Sequence, residues 1–298
     1  MPIPEIIDVH THCFTGRAGL PALVPVVGEL KKRGFTRVVT LGLINTAFDR
    51  ETAACIMPPF VDNRGAQTFD EADDLLGLAD DLRPFLIPFA DMRHLAGDPA
   101  PELSFRIGQG FMGIKGIYLP DENNDLGVRP IPDALGMTRA AYERRESEVF
   151  RFAEERGLPL LYHMDARRYG DRMESLLKDF PRARVNIPHL GVSRKAFAPF
   201  LERHENLFTD FAFLKTHVEK DPAGYRDFMV AFADRICFGT DALLHGLLEC
   251  ADYADMMDGL RLGPEITEKI CSANPRRFLG PAAYENRGKA ATQPSSIV

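Results

Sequence analysis

No run of uninterrupted apolar residues in this 298-residue sequence approaches the ~20 needed to cross a bilayer, so no transmembrane helix and no membrane partner are expected. The N-terminal residues lack the basic and then apolar layout of a signal peptide, which makes a cytoplasmic location the expectation. Positive charge is in deficit. The formal net charge of −7 argues against a broad nucleic-acid surface. Cysteine is sparse too: the five residues at 13, 55, 237, 250 and 271 form no Cys-x-x-Cys pair and are irregularly spaced. They read as reduced, structural thiols. No Gly-x-Gly-x-x-Gly turn follows any predicted strand, which counts against a doubly wound dinucleotide-binding sheet. There is no internal repeat beyond an alternation of strands and helices.

What is present is a core-forming composition, 45% apolar, with a regular rhythm. Short apolar strands are predicted at 5–9, 37–43, 84–90, 112–119, 158–162, 184–187, 207–210 and 235–239. Helices are predicted at 21–33, 69–81, 101–108, 138–156, 170–180, 193–204 and 221–234, followed by further helical stretches at 247–260, 264–272 and 275–279. Pro21 and Gly34 bracket the first helix, and Thr138 and Gly157 bracket the fourth. Eight strands alternating with helices predict a parallel sheet with right-handed crossovers, closed as a (β/α)8 TIM barrel with extra C-terminal helices. One domain is expected over 1–285, with a loose tail at 286–298. Two connections, at 44–68 and 121–137, are longer than a plain barrel needs and suggest binding loops.

In such a barrel the chemistry collects at the C-terminal ends of the strands. The first strand runs into Asp8-Val9-His10-Thr11-His12, and side chains two apart on a strand share a face, so His10 and His12 can hold one ion between them. The fifth strand ends in His163, the sixth in His189 and the eighth in Asp241. Imidazole with carboxylate suits Zn²⁺, Mn²⁺ or Fe²⁺. Lys115 lies inside the fourth strand, and a lysine is seldom buried without a partner, so a polar setting near the site is expected for it.

Asp8-Val-His10-Thr-His12, Leu161-Tyr-His163, Ile187-Pro-His189-Leu-Gly191, Phe238-Gly-Thr-Asp241 and the late Asn274-Pro-Arg-Arg-Phe-Leu segment together resemble the amidohydrolase superfamily, in its amidohydrolase-2 branch of metal-dependent TIM-barrel hydrolases and decarboxylases. The resemblance covers about residues 5–280. It implies that His10, His12, His163 and Asp241 bind one divalent metal, most simply Zn²⁺. Asp241 would carry the water's proton to the leaving group, and His189 would polarise the substrate or act as acid or base. Some superfamily members bridge two metals with a carboxylated lysine from the fourth strand. Lys115 is therefore a bridging ligand, a charged partner for a carboxylate or substrate, or a side chain that snorkels to the barrel end.

Arg17, Arg93, Arg167 and Arg168 follow strand ends and fall on loops of the same face, where guanidinium groups would pair with an anionic substrate. The first reading is hydrolysis of a small carboxylated lactone, ester or amide. The alternative is non-oxidative decarboxylation of a small aromatic or muconate-type acid, and a third is a metal-binding barrel without catalysis. A homo-oligomer is compatible with all three.

Overall fold

The computed structural model describes residues 5–13, 22–41, 82–93, 97–243 and 249–285. The expected helix at 69–81, the connection at 44–68, Arg17, His94, His245 and the tail at 286–298 lie outside them. Seven strands follow one another around a wholly parallel sheet: β1 (Ile6–His12), β2 (Phe35–Leu41), β3 (Leu86–Asp91), β4 (Gly113–Ile117), β5 (Pro159–His163), β6 (Arg184–Ile187) and β7 (Leu207–Asp210). Each pairs with its sequence neighbour, as successive right-handed β/α crossovers require.

The predicted eighth strand at 235–239 is shorter, β8 (Ile236–Cys237), and pairs with β7; a further strand that was not expected, β9 (Ala242–Leu243), pairs with the outer end of β1. Between them Val9 N donates to Phe238 O at 2.9 Å, and Asp241 N donates to His10 O at 2.7 Å. One chain segment, 236–243, thus bridges the last strand to the first and closes the TIM barrel.

Helices cover the outside of the sheet: α1 (Leu23–Lys32), α2 (Pro99–Gln109), the short α3 (Ile131–Ala134), α4 (Arg139–Arg156), α5 (Ala166–Asp179), α6 (Arg194–Arg203), α7 (Lys215–Lys220), α8 (Pro222–Ala231), α9 (Glu249–Gly259), α10 (Pro264–Glu268) and α11 (Asn274–Glu285). The long α4 starts and stops where its sequence signals lie. Thr138 Oγ1 accepts from Ala141 N, and Gly157 takes the left-handed conformation that ends the helix. The single helix expected at 221–234 is preceded by a separate one, α7, and Asp221 caps α8 through Gly224 N. A π-helical turn, Lys269–Ala273, joins α10 to α11.

The apolar residues divide into two layers. One large cluster lies between sheet and helices; a second fills the barrel itself, with Ile7, Val9, Val39, Ile87, Phe89, Leu161 and Phe208 pointing inward. Phe278 and Leu279 of α11 join that inner cluster. The closed, apolar interior leaves the strand ends as the place for polar chemistry. No helix among the described residues is long and apolar enough to cross a membrane.

Candidate metal centre

The site begins with an irregularity in β1. Ile7 and Val9 face the barrel interior, so strict alternation would turn His10 and His12 outward. Between Asp8 and Thr11, however, three steps of β1 oppose two of β2. The extra residue re-phases the strand, as a β-bulge does, and both histidines enter the mouth of the barrel. β1 also runs to His12, past the expected end at residue 9, because Thr11 and His12 are paired on both sides, to β2 and to β9.

Asp241 meets them there. Its Oδ1 lies 3.2 Å from His10 Nε2 and 2.9 Å from His12 Nε2. Asp241 adopts a left-handed backbone with φ 60° at the break between β8 and β9, strain of the kind that functional residues often store. These three residues offer one ligand atom each, all within 4.8 Å of one another. The nitrogen–oxygen spacings approach the ~3.4 Å edge of a tetrahedron around an ion about 2.0–2.1 Å from its donors. Two imidazole nitrogens and a carboxylate oxygen at this spacing fit a divalent metal.

Electrostatics support the same fit. Burial disfavours charge on Asp241, but His10 and His12 outweigh it and hold the carboxyl well below its ordinary range. Burial pushes the His12 imidazole down to about 4, so the ring is neutral and its lone pair available at neutral pH. Burial also resists charging of His10, yet Asp241 and Asp210 together raise its pKa. Beneath them Asp8, wholly buried, accepts from His10 N, Thr240 N and Thr240 Oγ1, and burial lifts its carboxyl to about 7.

His189 stands beside this cluster, with Nε2 3.9 Å from Asp241 Oδ2. It opens a run of four left-handed residues, His189, Leu190, Gly191 and Val192, with φ of 58, 53, 61 and 66°. That backbone costs about 1–2 kcal/mol per non-glycine residue. A side chain at Gly191 would run into the Phe197 ring. The turn is held at its start by Asp210, whose Oδ1 accepts from His189 N at 3.0 Å and from Ala212 N at 3.1 Å. His189 Nδ1 then donates to Ala212 O at 2.8 Å, which leaves Nε2 bare and aimed at Asp241. Burial pushes this imidazole to about 4, so it is neutral at physiological pH.

Asp210, at the end of β7, also reaches His10: its Oδ2 lies 3.3 Å from Nδ1. Sequence reasoning missed it, although the rule that found the histidines, a polar residue closing a barrel strand, applies equally to residue 210. Asp125 was missed as well. It lies in the loop between β4 and α3, and its Oδ2 is 3.0 Å from His163 Nε2. Burial would raise Asp125, but the hydrogen bond to His163 outweighs it and lowers its pKa.

Of the expected ligands, His163 is not drawn into the three-residue cluster. Its ring lies 5.2 Å from that of His189, with Nε2 on Asp125. Lys115 is buried at 3% exposure, paired in register with Asp91. Burial and neighbouring Arg93 bring its amine down to about 8, against the pull of Asp241 and Asp91. Arg93 is buried at the same mouth, in a forked ion pair with Asp91. Arg167 is half exposed and its guanidinium is engaged by Asp165, at 3.1 and 2.8 Å, rather than by the cluster.

A family model described as Amidohydrolase matches residues 7–280. No curated protein matches the sequence. Among solved structures the chain is similar to the phosphotriesterase homology protein from Escherichia coli complexed with phosphate (TM-score 0.60, 12% identity, 94% of this chain and 100% of that chain). It is also similar to an uncharacterised TIM-barrel protein from Bordetella bronchiseptica (0.58, 14%, 93% and 99%). A Lactobacillus casei protein assigned as a metal-dependent hydrolase is a third (0.53, 13%, 93% and 96%). At such identities the likeness is one of fold. The family match, by contrast, runs from β1 into α11 and takes in every strand end described above; the chain belongs to the amidohydrolase family.

Proposed function

We propose that this chain is a metal-dependent hydrolase of a small, carboxylated lactone, ester or amide. The observation that carries the reading is the convergence of His10 Nε2, His12 Nε2 and Asp241 Oδ1 at the mouth of the barrel, beside a neutral His189. His10, His12 and Asp241 would hold the ion, with His163 as a fourth ligand. A bound divalent ion supplies Lewis acidity and brings the pKa of water toward ~7.

The remaining work falls to the protein's own groups. Asp241 is ionised at neutral pH, and its Oδ2 faces away from the two ligand histidines toward His189. It is placed to accept a proton from the attacking water as the new carbon–oxygen bond forms, and to return it to the leaving oxygen or nitrogen as the acyl bond breaks. His189, fixed through Ala212 O, offers Nε2 to the same water or to a substrate hydrogen. Buried Lys115 and Arg93, the latter paired with Asp91, bring positively charged groups to the same strand ends, which supports a substrate that carries a carboxylate.

Elemental analysis of protein purified without added metal or chelator tests the centre. We expect about one equivalent of zinc, manganese or iron, and its loss in the His10→Ala, His12→Ala double variant; unchanged metal content in that variant refutes the site. Lactones screened against aromatic carboxylic acids then separate hydrolysis, seen as acid release, from decarboxylation, seen as carbon dioxide.

A further inference from the structure

The loop between β4 and α3 sends one charged side chain into the barrel mouth. Asp125 is 8% exposed at its side chain, and its Oδ2 lies 3.0 Å from His163 Nε2. An ionised carboxylate can only accept a hydrogen bond, so a neutral His163 must carry its proton on Nε2. Nδ1 then keeps the lone pair, and among the described residues no group hydrogen-bonds to it. His10 is arranged the opposite way: Asp210 takes its Nδ1 proton and Nε2 faces Asp241. Two carboxylates outside the cluster thus select opposite nitrogens on two histidines of one site.

The loop is fastened without help from Asp125. Asn124 Nδ2 donates to Asp121 O at 3.0 Å and Val128 O at 2.8 Å, while its Oδ1 accepts from Val128 N at 3.2 Å. Tyr169 OH donates to Asp121 Oδ1 at 3.0 Å, and Arg168 donates to Asn123 O at 2.7 Å. Asp125 Oδ1 is buried with no hydrogen-bond partner among the described residues. A carboxylate with one oxygen committed to a strand-end histidine and the other left open contributes little to holding its own loop.

We propose that Asp125 is a positioning residue for the metal centre: by accepting a hydrogen bond from His163 Nε2–H it fixes the tautomer that leaves the Nδ1 lone pair free to serve as a ligand. The β4–α3 loop and the metal are thereby coupled, since whatever displaces the loop weakens the ligand, and metal binding favours the ordered loop by the same factor. The metal half of this proposal rests on the reading of His163 as the fourth ligand; the tautomer half does not.

The experiment uses the full chain with ¹⁵N-labelled histidine. Long-range ¹H–¹⁵N correlation spectra of metal-free protein at alkaline pH report the tautomer of each ring, His163 being assigned by loss of its signal in His163→Asn. Wild type is expected to show the Nε2–H form and Asp125→Ala a mixture. Asp125→Asn, whose amide oxygen still accepts, should retain most of the Nε2–H form. Competition with a chelator should show zinc held about 10–100-fold more weakly by Asp125→Ala, with Asp125→Asn between it and wild type. A His163 tautomer unchanged in Asp125→Ala overturns the proposal. So does zinc bound as tightly as in wild type, or more tightly, which would make Asp125 a competitor for His163 instead of its support. If Asp125→Ala does not fold, Asp125→Gly and Asp125→Leu, whose side chains accept no hydrogen bond, carry both measurements, with the same outcomes deciding. Wild type that binds none of zinc, manganese and iron defeats the hydrolase reading, while the tautomer spectra still decide what Asp125 does.

Discussion

Asp210 touches three groups at once. Its Oδ2 faces His10 Nδ1, and its Oδ1 accepts the backbone N–H groups of His189 and Ala212. Gly239 leaves the room it needs, since a Cβ there would come within 2.8 Å of the Asp210 Cβ. Asparagine would keep the shape and reverse one bond. Its oxygen can still serve the two backbone donors, but its amide then donates to His10 Nδ1 and drives the ring proton onto Nε2, the atom turned toward Asp241. Asp210→Asn should therefore fold and bind metal about 10–100-fold more weakly. Chelator competition measures this, and wild-type affinity in the variant would show that Asp210 does not set the His10 tautomer. That the two histidines of β1 and Asp241 lie near one another was legible in sequence because they follow the ends of neighbouring strands, whereas the irregularity in β1 that turns both histidines into the mouth has no mark in the sequence. Nor was Asp125 legible, because its position depends on how Asn124 and Asp121 fold a loop with no regular period.

The helices show where local signals suffice and where pairing overrides them. Thr138 and Gly157 mark both ends of α4 in the sequence, because a cap is decided by a few neighbouring residues. The appearance of β9 after β8 has no such mark: it follows from β7 and β1 each claiming one part of the segment 236–243. Contacts between helices are likewise invisible until the fold is formed. Glu174 on α5 receives Arg203 of α6 at 2.8 Å, His204 just beyond α6 at 3.1 Å, and Lys178 one turn along at 3.1 Å. The Arg203 hydrogen bond, helped by His204 and Lys178, lowers the Glu174 pKa from 4.5 to about 2. A carboxyl whose folded pKa is depressed stabilises the fold above its unfolded value and loses that contribution as pH falls through the folded one. The stability difference between wild type and Glu174→Gln should thus be present at pH 5, shrink between about 4.5 and about 2, and diminish with added salt because the group is near the surface. Urea unfolding of both proteins across that range tests it; a difference that does not change with pH would assign the effect to packing.

At the scale of the molecule, the question is why a candidate metal site at one end of the barrel comes with an extended C-terminal segment at the other. The segment closes the structure in two ways. Phe238 N donates to Ile270 O, and Asn274 Nδ2 donates to Ala233 O and Ile236 O, which ties the π-helical turn and the start of α11 to the strand that seals the sheet. Ser272 and Arg276 both bind Glu5 ahead of β1, on the other side of the same seam. Phe278 then packs within 6.4 Å of the Phe89 ring and 5.9 Å of the Phe208 ring, inside the barrel's own apolar cluster. The sequence resemblance extends through this helix, but periodicity alone reads it as one more outer helix; that it fills the barrel is a tertiary fact. If residues through 285 form one cooperative unit, Phe278→Ala should cost about 3–5 kcal/mol, the usual range for emptying a buried aromatic site. It should do so in a single unfolding transition, followed alike by circular dichroism and by release of bound metal. Because the cavity lies below the inner layer of β1, β3 and β7 side chains, metal affinity per folded molecule should stay at the wild-type value. A variant that releases metal in a separate, earlier step would mean that the mouth of the barrel melts independently of its base, and that the C-terminal segment is an addition to the fold and not part of it.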